Sequence, residues 1–282
     1  MNLTTVDVGL GGGSCLQVAN RSHIQMMSYL IKTPDNSLVI IDGGNNNEED
    51  GSHLLSMIQE NGGTVSLWII THAHNDHFGA LQWILENDQF NGVTIENMCF
   101  TFPPMEWLKT IQGGGSYAPA MAFLSALEKN NIAVSPLIKG ENIECGGMTF
   151  EVLNDCSNYA SYPSVNDSTI VILAHFPAND ILFLGDLGDA ASHDLVATCP
   201  SEKLRKDIVQ MAHHGQGGPK KWFYELIRPK ICLYTAPDWL WINDIGQGED
   251  SGPWTTKETR KWMDELQVEA SYHHGMGDFL FV

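Results

Sequence analysis

Positive charge is scarce in this chain: 15 lysines and arginines stand against 34 aspartates and glutamates, a formal net charge of −19 over 282 residues. Such a surface opposes non-specific attraction to polyanions, which argues against an extended nucleic-acid-tracking face. Long apolar runs are missing too. No stretch approaches the roughly 18 consecutive apolar residues of a membrane span, and Met1 to Asp7 show no basic region leading into an apolar core. The expectation is a cytoplasmic protein without a membrane partner. The six cysteines, at 15, 99, 145, 156, 199 and 232, have no Cys-x-x-Cys spacing, so they are expected to be reduced packing residues rather than disulfides or ligands. There is no Gly-x-Ser-x-Gly elbow. Gly11-Gly12-Gly13-Ser14 lacks the lysine of a phosphate-binding loop, which leaves neither a serine hydrolase nor a P-loop enzyme.

What is present is a dense donor cluster. Thr71-His72-Ala73-His74-Asn75-Asp76-His77 follows Val65-Ser66-Leu67-Trp68-Ile69-Ile70, a short run of β-branched and aromatic residues that reads as a buried strand after Gly62-Gly63. A strand ending at His72 hands the next residues to a tight loop, where side chains can converge on one point. Imidazole nitrogens and a carboxylate oxygen suit Zn²⁺, Mn²⁺ or Fe²⁺. His72 and His74 are expected on one metal, with Asp76 and His77 leaning toward a second.

This spacing resembles the HxHxDH motif of the metallo-β-lactamase superfamily, and further segments follow in that family's order. Ser37 to Gly44, with Asp42-Gly43-Gly44, resembles its Asp-Gly turn. Ile181-Leu182-Phe183-Leu184-Gly185-Asp186 resembles the strand ending in a metal-bridging aspartate, and Ile208 to Gly215 resembles the strand before the last histidine ligand. Asp7-Val8-Gly9, Asn166-Asp167-Ser168 and His213-His214-Gly215 are similar to the metallohydrolase domain of ComEC-type DNA-uptake proteins. Those relatives carry Gln-Gly-Asp-Ser where this chain has Leu10-Gly11-Gly12-Gly13-Ser14, and serine where it has Gln216.

The resemblance implies an α+β fold, a four-layer αββα sandwich, built here from a single domain over 1–282 with metals at the mouth between two sheets. It also implies that Asp186 bridges two cations; its competing role is to cap the helix after Gly188. Of His213 and His214, one is expected on the metal and the other on the leaving group, because strand alternation turns neighbours apart. The working assignment puts His213 on the metal and His214 in catalysis, with the exchange left open. Many members carry one more histidine before the bridging aspartate. None stands at Asn166-Asp167, so Asp167 is the replacement ligand, which hardens the site toward Mn²⁺. His175 reads as a sheet or turn residue, and the Gly11 to Gly13 turn as lying near the metals.

Patterning alone gives mixed α and β. Strands are expected around 4–8, 15–18, 27–33, 37–42, 65–70, 97–101, 148–153, 168–176, 180–185, 208–212, 230–235, 268–272 and 278–282. Helices are expected around 50–60, 78–87, 118–130, 188–197, 219–227 and 255–266, the last with a Thr255/Glu258 capping box. Gln112 to Tyr117 reads as a flexible loop, and Trp239, Trp241 and Trp254 as packing residues that could also stack on a base. His273-His274 reads as part of a turn.

The chemistry implied is hydrolysis with two divalent ions, Zn or Mn. Asp76 both binds metal and steers water, and an imidazole of His213, His214, His273 or His274 serves as general acid. A phosphodiester in a small nucleotide or oligonucleotide end is the leading substrate. An acyl hydrolase acting on a lactone, thioester or β-lactam is the alternative, and a non-catalytic metal-binding module the third reading. Lys220 and Lys221 are candidate phosphate contacts. The oligomeric state is left open.

Overall fold

The computed structural model describes residues 3–87, 90 and 92–282; Met1, Asn2, Asp88, Gln89 and Asn91, and what was expected of them, lie outside the described residues. Two large mixed sheets face each other. The first runs, edge to edge, Leu3–Val6, Asp278–Phe281, Ser14–Gln17, Tyr29–Lys32, Leu38–Ile41, Leu67–Ile69, Met98–Cys99, Val134–Ser135. The second runs Asn142–Cys145, Met148–Val152, Ile172–His175, Asp180–Phe183, Ile208–Gln210, Ile231–Tyr234, Ala270–His273.

Hydrophobic pattern explains the layering. Leu38–Ile41 and Leu67–Ile69 are buried at every position, as expected of strands covered on both faces. Their inward residues, Val39, Ile41 and Ile69, meet Phe150, Ile172, Ile181 and Phe183 of the other sheet in a shared core. Their outward residues, Ile40 and Trp68, pack under Leu54, Ile58, Phe78, Leu81 and Phe123 from helices Glu48–Glu60, Asn75–Glu86 and Tyr117–Lys129. On the second sheet, Leu182, Val209 and Cys232 pack under Leu195, Phe223 and Met263 from helices Asp189–Thr198, Lys221–Ile227 and Thr256–Glu265. The result is the αββα sandwich.

What positions the site is strand direction. Asp180–Phe183, Ile208–Gln210, Ile231–Tyr234 and Ala270–His273 run parallel, with Phe183 opposite Gln210 and Gln210 opposite Leu233. Leu38–Ile41 and Leu67–Ile69 are likewise parallel, Ile41 opposite Ile69. The residues after Ile69, Phe183, Gln210 and Tyr234 therefore leave their sheets at carboxyl ends, where α/β folds gather ligand-binding side chains.

The strand expected at 278–282 is present as Asp278–Phe281 and joins the first sheet, parallel to Leu3–Val6 and antiparallel to Ser14–Gln17; such long-range pairing leaves no local pattern. Other expectations are corrected. Gln112 to Tyr117 is a tight turn, with Gln112 left-handed at φ 49°, opening the helix Tyr117–Lys129. Thr255 makes no helix-capping bond; its Oγ1 accepts instead from Gly217 N at 2.6 Å. The glycine turn lies far from the donor cluster. A Cβ on Gly11 would fall 2.4 Å from the Ala178 side chain and one on Gly13 2.5 Å from the Lys32 carbonyl oxygen, at the end of the second sheet where Asp180–Phe183 begins rather than where it delivers Asp186.

Candidate metal centre

The strand Leu67–Ile69 runs out through Ile70 and Thr71 into His72, and the helix Asn75–Glu86 begins three residues later with His74 in its extended N-cap position. Asp76 and His77 thus occupy the first helical turn, where the helix dipole favours an anion. Gly79 makes the close docking possible, since a Cβ there would lie 2.3 Å from Asn46 N. His72 Nε2 and His74 Nδ1 meet at 3.0 Å.

Asp42, left-handed at φ 59°, organises this half from beneath. Its Oδ1 accepts from Thr71 N at 2.8 Å, and its Oδ2 from Thr71 Oγ1 at 2.9 Å and from His77 Nδ1 at 2.7 Å. That fixes the His77 ring and leaves Nε2 facing Asp186 Oδ1 at 3.1 Å. A carboxylate behind an imidazole is the usual second layer of a metal site. The Asp-Gly turn was visible in the sequence; its partner was not.

The other half arrives on strained turns. Gly185, at φ 52°, carries no side chain because a Cβ would sit 2.6 Å from Thr169 Cγ2 and 3.0 Å from Thr71 Oγ1. The Gln210 amide pins it, accepting from Gly185 N at 2.6 Å and donating to Gly185 O at 3.1 Å. Asp186 then presents both oxygens. Oδ1 faces His77 Nε2 at 3.1 Å and His214 Nε2 at 3.7 Å, while Oδ2 faces His72 Nε2 and His213 Nε2, each at 3.8 Å.

Neighbouring His213 and His214 therefore point into the same cluster, contrary to the alternation expected of them. Alternation requires extended backbone, and these two residues are both left-handed, at φ 50° and 55°. His214 is wholly buried, its Nδ1 on Thr235 Oγ1 at 2.8 Å and its Nε2 3.2 Å from Asp76 Oδ2. It faces the carboxylate of Asp76 and lies among the donor atoms, the place expected of the ligand in the His213/His214 pair. The more exposed His213 takes the amide of Asn166 on Nε2 at 3.2 Å.

Asp167 is the second correction. Its Oδ1 accepts from Ala191 N at 3.1 Å, at the start of the helix Asp189–Thr198, and its Oδ2 from Ser164 Oγ at 2.5 Å, within its own loop, so both oxygens are engaged away from the cluster. A Cβ on Gly188 would lie 2.1 Å from Asp167 Oδ1. The capping role weighed for Asp186 thus belongs to Asp167. His273 and His274 are buried rather than on an exposed turn. Burial holds their pKa values down to about 4 and about 3, so neither carries a proton to give near neutral pH. His273 stacks on Trp241 at 4.2 Å, and Trp239 and Trp254, 4.7 Å apart, pack against the core of the second sheet. His175 ends a strand beside Asp180 at 3.0 Å. Lys221 is engaged by Glu265 at 2.7 Å, and Lys220 is exposed.

Protonation suits a cation. Burial pushes the pKa values of His72, His74 and His213 down, which leaves them neutral. Burial would raise Asp186, but His77, His214 and His213 outweigh it and hold the carboxyl well below its usual range. Burial opposes charge on His77 as well, yet Asp186 and Asp42 lift its pKa well above that of a free imidazole. Without an ion, the charge that balances these carboxylates is a proton on His77, which a divalent cation would replace. His77 Nε2 and Asp186 Oδ1 are buried with only each other, 3.1 Å apart, and make no well-formed hydrogen bond, an arrangement that buried polar atoms otherwise avoid. Donor atoms of His72, His77 and Asp186 lie within 4.8 Å of one another, as do those of Asp76, His77 and His214. The residues fit divalent metal ions.

The family model of the metallo-beta-lactamase superfamily matches residues 25–231, more than half of the chain. The protein belongs to this superfamily, which consists mostly of metal-dependent hydrolases that generally bind divalent ions. Among solved structures it is similar to the metallo-beta-lactamase fold protein YhfI from Bacillus subtilis, at 12% identity and TM-score 0.54, covering 93% of this chain and 96% of that one. It is also similar to a variant of the CmlA beta-hydroxylase, at 11% identity and TM-score 0.53, covering 95% of this chain and 53% of that one. A putative metal-dependent hydrolase from Parabacteroides distasonis aligns at 12% identity and TM-score 0.48, over 88% of this chain and 89% of that one. The first two likenesses concern the fold alone. No curated protein matches the sequence. Among the described residues no helix is long and apolar enough to cross a membrane.

Proposed function

We propose that the chain is a binuclear metal-dependent hydrolase that cleaves a phosphodiester, in a small nucleotide or at an oligonucleotide end. The observation that carries the two-metal reading is Asp186, whose oxygens face different imidazole pairs. His72, His74, His213 and Asp186 Oδ2 would hold one cation, and Asp76, His77, His214 and Asp186 Oδ1 the other. His213 thereby supplies the imidazole for which Asp167 was expected to substitute. With Asp167 spent elsewhere, the argument for manganese falls away, and a set rich in imidazole favours zinc.

Cations held there would supply Lewis acidity and bring the pKa of a bound water down toward neutrality. The chain's own part is to hold that geometry: Asp42 orients His77, Thr235 orients His214, and Gln210 fixes the turn before Asp186. The phosphodiester choice rests on the ComEC-like run of Asp7-Val8-Gly9, Asn166-Asp167-Ser168 and His213-His214-Gly215. A lactone, thioester or β-lactam is the second reading. It is favoured by the net charge of −19 and by the absence, among the described residues, of a lysine or arginine hydrogen-bonded or ion-paired to the cluster.

Turnover of bis-p-nitrophenyl phosphate, set against a thioester and lactone panel, separates the two. Activity on the diester, lost in His74→Ala/Asp76→Ala while the fold is kept, supports the proposal; activity confined to the acyl substrates overturns it.

A further inference from the structure

Gln216 departs from the serine of the ComEC-type pattern and so far has no role, and the structure places it in a chain of amides. Gln216 Nε2 donates to Gln25 Oε1 at 2.9 Å, and Gln25 Nε2 donates to Asp76 Oδ2 at 3.1 Å. The two glutamines lie 191 residues apart and come from opposite halves of the molecule. Gln216 is 8% exposed.

The backbone carrying Gln25 is held on several sides. Arg21 N donates to Asp50 Oδ1 at 2.6 Å, Trp239 Nε1 to His23 O at 2.9 Å, Asn45 Nδ2 to Gln25 O at 3.2 Å and Met27 N to Asp76 O at 2.9 Å. Asn75 Nδ2 in turn holds Asn45 Oδ1 at 2.8 Å. Gln216 follows two left-handed histidines and Gly215, and Gly217 beside it is tied to Thr255. Neither amide is a loose surface group that happens to reach a carboxylate. Because a glutamine side chain both donates and accepts, Gln216 can fix which way the Gln25 amide faces. Only with its NH₂ turned toward Asp76 does Gln25 restrain that carboxylate.

We infer that Gln216 and Gln25 form a positioning relay that sets the Asp76 carboxylate for its cation, joining the two halves of the metal centre across the mouth. This rests on the proposed ligand role of Asp76. Hydrogen-bond partners of metal ligands typically govern affinity by about 10–100-fold. The effect should fall on the ion held by Asp76 and leave the one at His72, His74 and His213 unmoved.

The test is calorimetric titration of metal-free protein with Co²⁺ alone, comparing wild type with Gln25→Met, Gln216→Met and the double variant. Methionine keeps the length and removes the amide; matching thermal melts of the metal-free forms verify folding, with Gln25→Ala and Gln216→Ala as second variants. The expected result is two ions in wild type, roughly tenfold weaker binding of one of them in Gln25→Met, a smaller loss in Gln216→Met, and a double variant no worse than Gln25→Met. Two ions bound by Gln25→Met as tightly as by wild type, or losses that add in the double variant, overturn the relay alone. A wild type that binds no ion overturns the binuclear reading and the relay with it.

Discussion

The two halves of the donor cluster are built by different means. His72, His74, Asp76 and His77 lie within six residues and are converged by a strand end and one helical turn. Asp186, His213 and His214 come from two strands and reach the same point only through left-handed turns at Gly185, His213 and His214. The first half is local geometry, available to the chain as soon as strand and helix form. The second depends on neighbours that over-determine strained backbone: the Gln210 amide at Gly185, and Tyr234 against Gly215, where a Cβ would lie 2.3 Å from the ring. One half is therefore written in sequence spacing and the other in packing.

Asp186 ties the halves together, so its loss should have the largest effect. Asp186→Ala is expected to abolish binding of both ions and all turnover, read by elemental mass spectrometry and a kinetic assay; retention of one ion would show that the halves hold metal independently. Next come the paired histidines. His213→Ala and His214→Ala are each expected to drop the content from two ions to one per chain, whereas loss from only one of the variants would mean that the other imidazole stands outside the ligand set.

A smaller effect tests the local half from beneath. Asp42→Asn removes the charge behind His77 and should weaken metal binding by about 10–100-fold in a chelator competition assay. Asp167→Ala should leave metal content unchanged and cost about 1 kcal/mol of stability through loss of its hydrogen bond to Ala191 N, measured by denaturant titration. Loss of metal in that variant would restore Asp167 to the cluster.

The correction at Asp167 shows where sequence reading stops. An aspartate beside the position of an absent histidine has the right chemistry to replace it, and nothing in the residues themselves says that a helix N-terminus will claim one oxygen and the Ser164 hydroxyl the other. Gln25 carried no signal at all, since its partner Gln216 is 191 residues away. Asp42 was legible as part of a turn and illegible as the residue that orients His77.

The alternation of apolar segments with turn residues placed most strands and helices, because burial imposes its period on the sequence directly. The His72 to His77 run likewise declared a candidate metal-ligand set on its own, since local backbone geometry is enough to converge its side chains. Tertiary structure alone decided that both His213 and His214 turn inward, that Asp167 caps a helix, and that the closing strand Asp278–Phe281 enters the first sheet. Each of these depends on contacts between segments far apart in the chain, whose energies no local pattern encodes.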